Sequence, residues 1–134
     1  MAQTARRARI AWTEKKLAAA AVKLMKQLNV RGATLDIFLL PHAEIKTLKA
    51  HFIKKQTEPN VLAFPEPIHF PHPEIRRRAK YLGEVYLNKD IVRKTPARAE
   101  ALLLHGMLHL LGYDHEKKAD ALKMERVEKR VLGK

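Results

Sequence analysis

The stretch from Thr95 to Leu111 is apolar on nearly every side, yet it carries two histidines. Leu102, Leu103, Leu104, Met107, Leu108, Leu110 and Leu111 surround His105 and His109. A helix that is apolar almost all round is a buried helix. Any fold this chain adopts must therefore wrap its other elements around this one. Thr95 is a suitable N-cap, and Pro96 falls at the first helical position, where its missing N–H is harmless. Burying an imidazole without a partner costs about 1–3 kcal/mol. A metal ion removes that penalty by taking one nitrogen lone pair from each ring.

Four residues along a helix advance the chain by about one turn, roughly 6 Å. His105 and His109 thus project from the same side. Gly112 can take the left-handed conformation that ends a helix and lets the chain reverse. His115 can then swing back as a third ligand, which completes the spacing H-x3-H-x5-H. Three imidazoles with one open position describe a catalytic zinc site better than a structural one. Nickel also accepts imidazole. A lone histidine in a leucine-rich helix is more often a hydrogen-bonded core residue. The glycine and the third histidine tip the balance toward a metal.

The pattern fits the elongated zinc-protease motif H-E-x-x-H-x-x-G-x-x-H at every histidine and at the glycine. The glutamate, the general base of those proteases, is replaced by Gly106. Glycine cannot move a proton. The spacing keeps a scaffold for zinc and drops the peptidase chemistry.

The run His105-Gly106-Met107-Leu108-His109-Leu110-Leu111-Gly112-Tyr113-Asp114-His115 resembles the signature of the bacterial YbeY family, H-G-x-L-H-L-x-G-Y-D-H, and matches it at every specified position. Asn60-Val61-Leu62-Ala63-Phe64-Pro65 resembles the family's T-[DN]-V-L-S-F-P strand, with Pro59 and Ala63 in place of Thr and Ser. Leu82-Gly83-Glu84 resembles its L-G-D segment, with Glu for Asp. The resemblance covers most of the chain. It implies a zinc-dependent, single-strand-specific endoribonuclease of ribosomal RNA maturation and ribosome quality control. It also implies one zinc ion on His105, His109 and His115, and an α+β, zinc-metalloprotease-like (zincin-like) domain in which helices pack around a small mixed sheet. One departure stands out. The family carries an arginine shortly before the strand, and a gapless alignment puts Ile53 there, followed by Lys54 and Lys55. Isoleucine cannot bind a phosphate, and lysine is a point charge without a bidentate fork. Either a neighbouring lysine takes over or the activity is weakened.

Lysine and arginine number 27 against 14 aspartates and glutamates, a formal charge of +13. That surplus favours a polyanionic partner, nucleic acid before an anionic membrane. Charge alone does not separate RNA from DNA, and a solvated basic surface is the bland alternative. The chain has no cysteine, which excludes disulfides and thiolate ligands and fits a reducing compartment. Arg6, Arg7 and Arg9 lie in an N-terminal stretch without a long apolar run, so it does not read as a secretory signal. Nowhere do about eighteen apolar residues follow one another. A cytoplasmic, soluble protein is expected, with a basic arm over residues 1–11 and a single metal-dependent domain over 12–134.

Along the chain, Thr13 caps a helix to about Asn29 whose apolar face is Leu17, Ala21, Leu24 and Leu28. Thr34 to Leu40 reads as a strand, with Leu35, Ile37 and Leu39 on one side. Pro41 opens a second helix on which Ile45, Leu48 and Phe52 share a face. Val61 to Phe64 is a short strand, and the prolines at 65, 67, 71 and 73 make the next stretch a loop. Tyr81 to Asn88 is another strand, the histidine helix follows, and a last helix turns Ala121, Met124, Val127 and Val131 inward. His69 and His72 in the proline-rich loop, and His42 and His51 on a surface helix, read as solvated. Trp12 reads as a packing anchor.

The chemistry expected of such a site is hydrolysis by a zinc-bound water, whose pKa the metal lowers to about 7. Asp114 is a candidate proton carrier or else the N-cap of the last helix; Lys54 is the other candidate catalytic side chain. Glu84 is a candidate for orienting a ligand. Lys54, Lys55, Arg76, Arg77 and Arg78 are candidates for holding the RNA backbone. RNA, above all that of the small ribosomal subunit, is the expected partner, with ribosomal or assembly proteins beside it. Two alternatives stay open: a non-catalytic, zinc-stabilised ribosome-assembly factor, and a zinc hydrolase of another substrate. A basic DNA-binding module has no helix-turn-helix, zinc-finger or heptad signal behind it.

Overall fold

Three strands and five α-helices, the histidine helix among them, make up the regular structure of the residues described by a computed structural model, 11–30, 32–52, 60–65, 80–113 and 118–133. In chain order these are α1 (Glu14–Gln27), β1 (Ala33–Leu40), α2 (His42–Phe52), β2 (Val61–Pro65), β3 (Lys80–Asn88), α3 (Lys89–Lys94), a 3-10 turn (Pro96–Arg98), α4 (Ala99–Leu110) and α5 (Lys118–Leu132). Among the described residues the sheet runs β1-β3-β2. β3 is parallel to β1, with Ile37 opposite Val85 and Leu39 opposite Leu87. It is antiparallel to β2, with Ala63 opposite Val85 and Val61 opposite Leu87. The expected α+β architecture with a small mixed sheet is what the chain adopts.

Strand alternation sends Ile37, Val85 and Leu87 to one face of the sheet. There they join Leu17, Ala21 and Leu24 of α1 and most of α4 in one core. Leu35 and Leu39 pack partly buried against the same core, as the period of two predicts. Leu103, Leu104, Met107 and Leu108 of α4 are fully enclosed. Each such side chain contributes about 1.5–3 kcal/mol of burial. The helix that is apolar all round is therefore the centre of the molecule.

Thr13 caps α1 as expected, its hydroxyl accepting the Lys16 N–H at 3.1 Å. The helix stops at Gln27, short of Asn29, because Asn29 takes a left-handed φ of 63°. The Val30 N–H then closes on the Met25 carbonyl at 2.9 Å. Trp12 does anchor this end: its indole N–H donates to the Pro96 carbonyl at 3.0 Å. Met124 and Val131 of α5 are buried, and Val127 packs beside them.

Two local expectations need correction. Thr95 does not cap the histidine helix; its hydroxyl donates to the Ile91 carbonyl at 2.8 Å, closing α3 behind it. α4 proper begins at Ala99, after the 3-10 turn that Pro96 opens. The six-residue α3 was not expected from periodicity. Asn88 caps it by accepting the N–H groups of Asp90 and Ile91 at 3.0 and 3.3 Å.

Candidate metal centre

His105 and His109 lie one turn apart on α4, and their rings face each other edge to face, with centroids 4.8 Å apart and planes at 78°. The two Nε2 atoms are 3.3 Å apart. Each Nδ1 has an acceptor behind it. His105 Nδ1–H donates to Glu128 Oε2 at 2.9 Å, and His109 Nδ1–H donates to the Tyr113 carbonyl at 3.0 Å. A carbonyl and an ionised carboxylate can only accept. The hydrogen-bond network therefore assigns the proton of each neutral ring to Nδ1. In that tautomer each Nε2 carries a lone pair able to ligate, and the two atoms are neighbours on one side of α4.

That arrangement fits a metal. Two bonds of about 2.0–2.1 Å at a tetrahedral angle set ligand nitrogens about 3.3–3.4 Å apart. Ligating histidines almost always donate their other N–H to a carboxylate or a backbone carbonyl, and this pair has one of each. Among the described residues no third histidine, aspartate or glutamate joins the pair into a ligand set. His115, the expected third ligand, lies outside the described residues.

The Tyr113 carbonyl is in place because of how α4 ends. Gly112 adopts φ 102°. Its N–H bonds the His109 carbonyl at 3.1 Å, and the Tyr113 N–H reaches back to the Leu108 carbonyl at 2.9 Å. These are the paired bonds of a glycine-terminated helix. The turn delivers the next carbonyl to the His109 ring.

Gly106 faces the sheet. A Cβ built there would lie 2.8 Å from Val85 Cγ1 and 3.0 Å from Val61 Cγ2. The position that holds a glutamate in the protease motif is here packed tightly against Val85 of β3 and Val61 of β2. The missing proton-transfer group is thus also a packing requirement.

The family model described as Endoribonuclease YbeY matches residues 2–134. The chain belongs to the YbeY family. A relative named endoribonuclease YbeY from Jannaschia sp. (strain CCS1) is 35% identical over 113 residues, 75% of this chain and 71% of the relative. One of the same name from Sinorhizobium medicae (strain WSM419) is 31% identical over 115 residues, 80% of this chain and 67% of its own length. The match spans about two thirds of the length of these relatives. A protein from Thermotoga maritima solved in solution is similar at 24% identity and a TM-score of 0.46, over 89% of this chain and 81% of that one. Membership in the YbeY family bears out the zincin-like reading of the fold.

Of the remaining candidate residues, Glu84 and His42 lie among the described residues. Lys54, Lys55, Arg76, Arg77, Arg78 and Asp114 lie outside the described residues, as do Ile53, His69 and His72. Glu84 belongs to the other face of β3: it accepts the Tyr86 hydroxyl at 3.0 Å, while its neighbour Val85 faces the core. Among the described residues the hydrogen-bond partner of the Glu84 carboxylate is that tyrosine. His42 sits at the start of α2, where its Nδ1 accepts from the Asn88 amide at 2.9 Å. Among the described residues no helix is long and apolar enough to cross a membrane. The residue that sequence reasoning missed is Glu128. Its signal was there: it stands between Met124 and Val131 on the inward face of α5, where a carboxylate is out of place without a partner.

Proposed function

We propose that this YbeY-family protein is a metal-dependent endoribonuclease that cleaves single-stranded RNA in ribosomal RNA maturation and ribosome quality control. One zinc ion is held by His105, His109 and His115. The observation that carries the reading is the pair of Nε2 atoms 3.3 Å apart with both Nδ1 atoms committed as donors. An all-imidazole donor set suits zinc. Zinc, when bound, acidifies a water molecule and polarises a phosphoryl oxygen.

The chain's own residues do the rest. Glu128 and the Tyr113 carbonyl hold two rings in orientation. Asp114 is the candidate to carry a proton, with Lys54 as the other. Lys54, Lys55, Arg76, Arg77 and Arg78 hold the RNA backbone by charge, in keeping with a formal surplus of +13. Gly106 moves no proton, so peptide hydrolysis is not the reaction. The activity belongs to one domain over residues 12–134, with 1–11 as a basic arm, acting in the cytoplasm on small-subunit ribosomal RNA and beside ribosomal or assembly proteins. Ile53, at the family's arginine position, favours a second reading: an assembly factor whose zinc is structural.

One experiment separates these. Metal content and cleavage of a single-stranded RNA are measured on the wild type and on His115→Ala purified identically. The proposal expects about one zinc per chain and cleavage that the substitution abolishes. Equal cleavage by both proteins, or zinc-loaded wild type that cuts nothing, rejects the enzyme reading.

A further inference from the structure

We propose that Glu128 is the positioning residue of the metal site: its carboxylate, reaching across from α5, holds His105 as the Nδ1–H tautomer, the one that can ligate through Nε2. This rests on the reading of His105 as a ligand. A neutral imidazole can carry its proton on either nitrogen, and only one of the two tautomers can ligate through Nε2. Glu128 Oε2 lies 2.9 Å from His105 Nδ1. An acceptor at that distance selects the useful tautomer and fixes the plane of the ring.

The carboxylate is well placed to do this. Met124, one turn before it, and Val131, three residues after it, are both buried. They pin the helix on either side of Glu128. The two side chains keep 33% and 26% of their exposure, so the carboxylate is steered by the fold without being stripped of water. A pair this exposed contributes little to stability as an ion pair; its geometry is what matters. The two histidines differ here. His109 is held by a backbone carbonyl, which replacing the Tyr113 side chain leaves in place. His105 depends on a replaceable side chain. Glu128 touches no reacting atom and acts through His105 alone.

The test compares full-length wild type with Glu128→Ala, Glu128→Gln and His105→Ala. Zinc affinity is measured by competition with a chromophoric chelator, and the ring tautomers by nitrogen NMR of the metal-free proteins. Glu128→Ala is expected to weaken zinc binding about 10- to 100-fold and to leave the metal-free melting temperature nearly unchanged. His105 should then show mixed tautomers instead of Nδ1–H. Glu128→Gln keeps an acceptor oxygen without the charge, so an intermediate loss is expected. It also keeps the test standing if the alanine variant fails to fold. Wild-type zinc affinity and an unchanged His105 tautomer in the Glu128 variants, with binding lost in His105→Ala, overturn the positioning role and leave the ligand assignment intact. Wild-type affinity in His105→Ala overturns both.

Discussion

At φ 102°, Gly112 holds a backbone angle that an L side chain adopts only under strain. The open space around it means that a methyl group there would meet no atom. Gly112→Ala should therefore act through the backbone alone, costing about 1–2 kcal/mol. The turn that relaxes also carries the Tyr113 carbonyl, so zinc affinity should fall along with the urea midpoint; a lower midpoint with wild-type zinc affinity would detach that carbonyl from the site. A second prediction concerns Tyr86. Burial, then the hydrogen bond and charge of Glu84, then the charge of Asp36, push its phenol up from 10.0 to about 12. A group whose folded value is raised stabilises the fold fully below its unfolded value. That contribution is lost as the pH climbs from about 10 through about 12. In an absorbance titration of the chain's three tyrosines, one should ionise late. Glu84→Gln should bring it earlier, and a titration unmoved by that change would remove Glu84 as a cause. The histidines themselves were legible as residues because their spacing is a pattern. Their partners were not. One is a backbone carbonyl, which has no sequence identity, and the other sits 23 residues away in the next helix.

At the scale of elements, the decisive contact is α4 against the sheet. Gly106 meets Val85 and Val61 with no room for a side chain. Gly106→Ala should lower stability by about 1–3 kcal/mol, read from urea unfolding, because overpacking forces the helix and the strands apart. Gly106→Glu, which would restore the protease motif, should unfold the protein and create no peptidase; a folded variant with peptidase activity would contradict this packing account. The long elements could be read in advance. α1, β1 and α5 each repeat an apolar period often enough to reveal it, as Leu17, Ala21 and Leu24 do. α3 could not, since six residues span less than two turns. The N-cap assignment at Thr95 failed for a related reason: a threonine hydroxyl can close the helix behind it as well as open the one ahead, and α3 was there to be closed.

At the scale of the whole molecule, the surplus of +13 charges makes RNA binding a counter-ion reaction. Affinity for single-stranded RNA should fall with salt, each neutralised phosphate adding about 0.7 to the slope of log K against log salt. A flat response would remove charge as the basis of recognition. The mixed sheet was foreseeable as a class, but the order β1-β3-β2 was not, because it depends on pairing between distant segments that no local window contains. The tie between Trp12 and the Pro96 carbonyl joins the N-terminal end of α1 to the turn that launches α4. The chain holds one tryptophan, so its emission colour and quenching form a label-free optical gauge of whether that launch point is seated. Stopped-flow fluorescence then follows the docking of the histidine helix in real time, from a chromophore the protein already owns.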